Sequence, residues 1–141
     1  MPAFETVIPV RFDHVDPVGI VYYPRYFQML AEVIEIWFEE ALGINYRQFH
    51  IEEFRCIPLV DVHCRFIKPS WLTERLKFSL LVSRLGTRSM VLNINAFGGA
   101  ERRLEADMTI IYAIRDGQKI SSVDIPAEMR DRLELFLKTE G

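Results

Sequence analysis

The stretch DHVDPVGIVYYPRYF, residues 13–27, brings a carboxylate, Asp16, close to an imidazole, His14, and to three tyrosines. An ionised carboxylate can take a proton from water or attack an electron-poor carbonyl itself. A dry apolar wall makes either reaction more effective. Aspartate before proline and glycine is also a common turn former, so residue type alone leaves a structural role and a chemical role for Asp16. Three features favour chemistry. Asp16 lies several residues before Pro24, an awkward distance for capping a helix that starts there. Gly19 permits close backbone approach by another group. The aromatic run that begins at Tyr22 can wall off the carboxylate.

Other familiar chemistries find no support. The chain has no Gly-x-Ser-x-Gly elbow, no P-loop and no Gly-x-Gly-x-x-Gly opening a helix. His14, His50 and His63 are scattered. His63 and Cys64 are neighbours on an expected strand and so point to opposite faces, which argues against a shared metal ion. Neither a metal nor another cofactor is expected. Two cysteines are too few for a disulfide framework and fit a reducing compartment, and small buried hydrophobes are their ordinary role. A net charge of −3 offers no general attraction to nucleic acid or anionic lipid. No basic leader is visible. The apolar segment 26–38 is interrupted by Gln28, Glu32 and Glu35, so no membrane span is expected. Together these features predict a cytoplasmic protein.

The elements that would position Asp16 follow from periodicity. Residues 6–12 read as a short strand, with Pro9 confined to an edge or bulge. From Pro24 to about Leu42 the pattern is helical, with Gly43 at its end. Glu32, Glu35 and Glu39 form one polar stripe, while Phe27, Leu30, Ile34, Trp37, Phe38 and Ala41 spread over a wide apolar arc. An arc that wide calls for a sheet wrapped around the helix. Residues 44–56 are irregular, with room for a short helical turn. The segment IPLVDVHCRF then alternates, with Val60, Val62, Cys64 and Phe66 on one face and Asp61, His63 and Arg65 on the other. Further strands are predicted near 75–84, 88–97 and 103–115, and a last helix from Pro126 carries Met129, Leu133, Phe136 and Leu137 on its apolar side. The order β-α-β-β-β-β-α with short links favours antiparallel pairing, an α+β fold and one domain over residues 1–141.

These residues also carry a family resemblance. FDHVDPVGIVYYPRYFQML resembles the signature of hot-dog-fold acyl-CoA thioesterases, in particular the 4-hydroxybenzoyl-CoA thioesterase family. IPLVDVHCRFIKPSW and RLGTRSMVLNINAF are similar to its later strands, so the likeness covers roughly residues 5–115. It implies an antiparallel sheet around one long helix, to which this chain adds a C-terminal helix. It also implies sheets joined edge to edge in a homodimer or homotetramer, with active sites between subunits. The implied activity is hydrolysis of an acyl-CoA, with an aromatic acyl group preferred, to CoA and a carboxylic acid. Asp16 matches the catalytic carboxylate, as nucleophile or general base. Tyr23 matches an aromatic near the reacting group. The Cys56 N–H, where members often carry glycine, matches a donor to the thioester oxygen. Arg88 matches a basic residue near the CoA phosphates, where the family has a denser basic cluster than this chain's Gly86 and Thr87.

For Arg84, Arg102 and Arg103 a solvated strand-end charge is the expectation, although each could add to the CoA grip. For Tyr22, Tyr26, Phe27 and Trp37 the expectation is core. Three rival functions remain: a thioesterase acting on acyl carrier protein, a hot-dog dehydratase using His14, and a non-catalytic acyl-CoA-binding module.

Overall fold

Alternating apolar residues in three neighbouring strands build the floor of the molecule. In the computed structural model, which describes residues 3–139, these are β4 (Arg75–Leu85), β5 (Ser89–Gly98) and β6 (Glu101–Ile111). They follow β1 (Phe4–Pro9), α1 (Tyr23–Glu40), β2 (Arg55–Cys56) and β3 (Leu59–Phe66), and precede β7 (Ala113–Asp116), β8 (Lys119–Ser122) and α2 (Ala127–Glu134). The larger sheet has the order β1-β4-β5-β6-β3 and the smaller one β2-β7-β8, every pair antiparallel.

Leu76, Phe78, Leu80 and Val82 of β4, Met90, Leu92, Ile94 and Ala96 of β5, and Leu104, Ala106, Met108 and Ile110 of β6 are all buried on one face. They form a single hydrophobic cluster with Tyr26, Met29, Leu30, Val33, Ile34, Trp37 and Phe38 of α1. Burying each large side chain contributes roughly 1.5–3 kcal/mol, so this layer of helix on sheet supplies the main stabilising term. The opposite stripe of the helix, with Gln28, Glu32, Glu35 and Glu39, is exposed. The expected α+β fold, its long helix and its C-terminal helix are all present.

Several boundaries differ from the sequence expectation. The first strand stops at Pro9, paired with Arg75 on the outer edge of the sheet. A 3-10 turn, Phe12–His14, replaces the expected strand end. The expected strand 103–115 breaks at Tyr112, whose N–H donates to Arg88 and whose C=O accepts from Val123. Beyond it, β7 turns back into β8 and also pairs with β2. The tail after α2 fills an edge that β1 leaves open. Val82 N–H donates to Phe136 C=O at 2.9 Å, and Lys138 N–H donates to Val82 C=O at 2.7 Å.

The largest correction concerns β3. Its pairing with β6 is regular from Asp61 to Phe66 and irregular at Val60, and its apolar side chains are uncovered: Val60 is 55% exposed, Val62 39% and Phe66 49%, and only Cys64 is half-buried. β3 is the last strand of its sheet and has only β6 beside it. Burial of the Cys64 thiol still pushes its pKa up to about 11.

Candidate active site

Asp16 lies between the 3-10 turn and α1, in a loop that bends back on itself. Its N–H donates to Ile20 C=O and its C=O accepts from Gly19 N–H, each at 2.9 Å. Gly19 holds φ +97°, a region that side chains disfavour. The carboxylate completes the turn: Oδ1 accepts the N–H groups of Val18 (2.9 Å), Gly19 (3.1 Å) and Ile20 (3.3 Å). No hydrogen bond to Oδ2 is found among the described residues. The turn-forming role therefore occupies one oxygen and leaves the other unengaged.

The start of α1 lies a few residues further on. Tyr22 is its N-cap without a side-chain cap, and Pro24 occupies the first turn. Pro24 has no N–H to satisfy, and Arg25 N–H bends back to Tyr22 C=O at 2.8 Å. No partner for the Tyr23 N–H is found among the described residues. An open donor at a helix N-terminus carries the positive end of the helix dipole. The Tyr22 and Tyr23 rings stack edge to face 5.3 Å apart and are both exposed, so Tyr22 is not a core residue. Tyr26 and Trp37 are core as expected, and Phe27 is half-buried. The His14 Nδ1 accepts Arg11 N–H at 2.9 Å, which commits that nitrogen's lone pair to the preceding turn.

A strip of chain entering β4 backs the Asp16 loop. Val21 N–H donates to Ser70 C=O and Leu72 N–H donates to Gly19 C=O, both at 2.9 Å, with Ile20 bridged to Trp71. Arg103 of β6 grips this strip through a bidentate pair to Glu74, Nη1 to Oε1 and Nη2 to Oε2, each at 2.8 Å. Arg103 is thus 8% exposed, contrary to the expected solvated charge. That hydrogen bond lowers the Glu74 pKa and raises that of Arg103. Burial raises the Tyr26 hydroxyl pKa, tempered by a hydrogen bond to Ser70. Sequence offered one faint signal for this cluster: two arginines, Arg102 and Arg103, side by side in a strand must point to opposite faces.

Cys56 and Arg88 lie at the other end of the sheet. Cys56 pairs in register with Ala113, immediately after the Tyr112 that bonds Arg88 C=O. The Arg88 side chain reaches Asp124 Oδ1 at 2.8 Å and Ser122 C=O at 3.3 Å. β4 runs from the Asp16 strip to the turn before Arg88, and its 11 residues span roughly 35 Å at the usual strand rise. Within one chain, then, Asp16 and Tyr23 sit together, Cys56 and Arg88 sit together, and the two pairs are far apart.

Clefts among the described residues include two of note. One lies between the end of α1 and α2, lined by Phe49, Tyr112, Met129 and Arg132, and the other lies beside β1 near His14. Asp16 lines neither. Among the described residues, no cluster of three or more His, Cys, Asp or Glu side chains could hold a metal ion, and no helix is long and apolar enough to cross a membrane.

A sheet folded over one long helix, with an aspartate turn just before that helix, agrees with a match to the sequence profile of the thioesterase-like superfamily over residues 10–133; the chain belongs to that family. Among curated relatives, it is 28% identical over 94 residues to a 1,4-dihydroxy-2-naphthoyl-CoA hydrolase of Thermosynechococcus vestitus, covering 66% of this chain and 64% of the relative. It is 22% identical over 125 residues to a 4-hydroxybenzoyl-CoA thioesterase of Pseudomonas sp. strain CBS-3, covering 84% and 89%. The match thus spans slightly less than two thirds of the first relative's length. Among solved structures, the Dynemicin thioesterase superposes with a TM-score of 0.87 at 18% identity, covering 98% of this chain and 99% of that one. A mutant 4-hydroxybenzoyl-CoA thioesterase complexed with 4-hydroxybenzoyl-CoA gives 0.85 at 20% identity, covering 94% and 99%. At these identities the superpositions establish the fold.

Proposed function

We propose that the protein is an acyl-CoA thioesterase whose working unit contains at least two copies of the chain. One observation carries the reading: Asp16 is anchored through Oδ1 by three main-chain N–H groups, and Oδ2 is left open beside the start of α1. An anchored carboxylate with one free oxygen has the preorganisation that acyl transfer requires. Two routes use it. In one, Oδ2 attacks the thioester carbonyl, CoA leaves as the thiolate, and water hydrolyses the resulting mixed anhydride. In the other, Oδ2 takes a proton from a water that attacks the carbonyl, and the departing thiolate is protonated. In both, negative charge grows on the carbonyl oxygen. The open Tyr23 N–H is one donor suited to receive it, and the Cys56 N–H of a second copy is the other candidate. One well-placed donor of this kind is worth about 100–1,000-fold in rate.

The uncovered β3 supports the multi-copy reading. Ile67 N–H donates inward to Arg103, so the alternation of the ladder turns the backbone groups of Val62, Cys64 and Phe66 toward the open edge. An exposed apolar edge of this kind is a template for another strand. If two copies pair β3 to β3 antiparallel, the Arg88 and Cys56 end of one lies beside the Asp16 end of the other. Arg88 then serves the CoA phosphates from across the interface. An aromatic acyl group is the substrate class we favour, supported by the ring-bearing substrates in the names of both relatives and by the exposed Tyr22, Tyr23 and Trp71 near Asp16.

Release of free thiol from a panel of aromatic and aliphatic acyl-CoAs tests this. Aromatic thioesters should be cleaved fastest, and Asp16→Asn should lower kcat by about 100–10,000-fold. The amide oxygen of the variant can accept the same three N–H bonds, so its melting temperature should stay close to that of the parent. Binding of acyl-CoA without thiol release from any panel member, or full activity in Asp16→Asn, would overturn the proposal.

A further inference from the structure

We infer that Arg103 is a positioning residue for the Asp16 turn. The inference deepens the thioesterase reading and rests on it for its catalytic consequence. The turn is hydrogen-bonded to the strip from Pro69 to Glu74, which leads into β4. Two main-chain hydrogen bonds join turn and strip, Val21 N–H to Ser70 C=O and Leu72 N–H to Gly19 C=O.

Arg103 holds both ends of that strip. Its Nη1 donates to Pro69 C=O (3.1 Å), Ser70 Oγ (3.4 Å) and Glu74 Oε1 (2.8 Å), and its Nη2 donates to Glu74 Oε2 (2.8 Å). Its own C=O accepts Ile67 and Lys68 N–H. Glu101 Oε1 lies 2.8 Å from Nε, but off the N–H direction, so it adds charge and no hydrogen bond.

Three independent features indicate that this geometry is demanded. Gly98 on β5 makes room for the guanidinium, because a Cβ there would lie 2.3 Å from Nη2. Thr73, a β-branched residue inside the strip, holds φ +75°. Such a conformation persists only where its surroundings over-determine it. Glu74 Oε1 also accepts Trp71 N–H at 2.7 Å, so the same carboxylate that pairs with Arg103 closes the strip's turn. Ser70 joins the parts: its C=O takes Val21 N–H, directly before the Tyr22 N-cap of α1, and its Oγ faces Arg103. Arg103 thereby sets the position of the loop bearing Asp16 and of the first turn of α1, without touching the reacting atoms.

The test compares the full chain with Arg103→Met, Arg103→Lys and Glu74→Gln. Amide hydrogen exchange of Val21 and Leu72 should accelerate at least about tenfold in Arg103→Met, while Leu92 and Ile94 in β5 hold their parental rates. On the best thioester of the panel, kcat should fall about 100-fold, the cost of a displacement near 1 Å, with KM within about twofold. Arg103→Lys should recover little, because a lysine cannot reproduce the bidentate fork. Glu74→Gln keeps one acceptor and should show the same pattern more weakly, which covers the case in which Arg103→Met does not fold. Unchanged exchange at Val21 and Leu72, unchanged kcat, or a rise in KM alone each overturns the inference. The exchange measurement needs no substrate. Faster exchange in a protein whose parent cleaves no thioester leaves the clamp standing and removes only the thioesterase reading.

Discussion

The two ends of the larger sheet hold their candidate side chains in opposite ways. At one end the Asp16 carboxylate is fixed by three main-chain N–H groups, and its loop is backed by a buried arginine. At the other end Arg88 makes a single ion pair with Asp124, and the two side chains are 55% and 68% exposed. An exposed pair of that kind contributes about 0–1 kcal/mol and can exchange partners readily. The contrast matches the work proposed for each end. A group that makes or activates a bond must be held to a fraction of an ångström, whereas one that grips a mobile phosphate needs reach and charge.

Substitution at each end should separate the roles. Asp16→Asn should reduce kcat by about 100–10,000-fold with little change in KM. Arg88→Glu should mainly raise KM for acyl-CoA, and a truncated thioester lacking the nucleotide should be insensitive to it. Equal kcat losses at both ends would erase the distinction. A mixing experiment sharpens it further. If each site takes one end from each of two copies, unfolding and refolding Asp16→Asn together with Arg88→Glu should restore roughly a quarter of parental activity at substrate far below the raised KM, where either variant alone is nearly inactive, because half of randomly assorted dimers hold one intact site of two. No recovery would place both ends of a site in one chain.

A smaller effect is expected midway between the ends. Val62→Lys puts a charge on the open edge of β3, and edge lysines block strand addition. Light scattering should then report the mass of one chain, and thiol release should fall with it, while the circular dichroism of the fold is retained. Persistence of the parental mass would remove β3 as the joining edge.

Acid should affect the Asp16 end most gently of all. Arg103 lowers the Glu74 pKa below its usual 4.5. Because that pKa is lower folded than unfolded, the pair stabilises the protein above about pH 4.5, and the contribution fades as pH falls toward the folded value. The urea midpoint should therefore decline below pH 4.5, and in Glu74→Gln the decline should be shallower. An identical acid slope in both proteins would show that the pair contributes nothing measurable.

Much of the fold is legible in the residues because its signals are local. Alternation locates the strands that contain β4, β5 and β6, the broad apolar arc locates α1, and Pro24 and Pro126 mark the two helix starts. The order of these elements, with short links between consecutive strands, favours antiparallel pairing over a parallel sheet. The β2-β7-β8 sheet is not legible, because the apolar run through Tyr112 continues unbroken while the chain changes sheets there. β3 and β6 make the limit concrete. Both alternate in the same way, yet Leu104, Ala106 and Met108 are at most 5% exposed and Val60 is 55% exposed. Alternation shows which residues share a face. Whether anything covers that face depends on neighbours distant in the chain.

The site divides along the same line. The sequence by itself determined that Asp16 stands in a tight turn before an apolar helix, because proline, glycine and aspartate impose local backbone geometry wherever they occur together. Only the tertiary structure decided that one carboxylate oxygen completes the turn while the other stays open. It also decided that Arg103 is buried where Arg88 is exposed, and that the two pairs of candidate residues lie toward opposite ends of β4. Those outcomes depend on contacts between segments far apart in the chain, and no local pattern of residues encodes them.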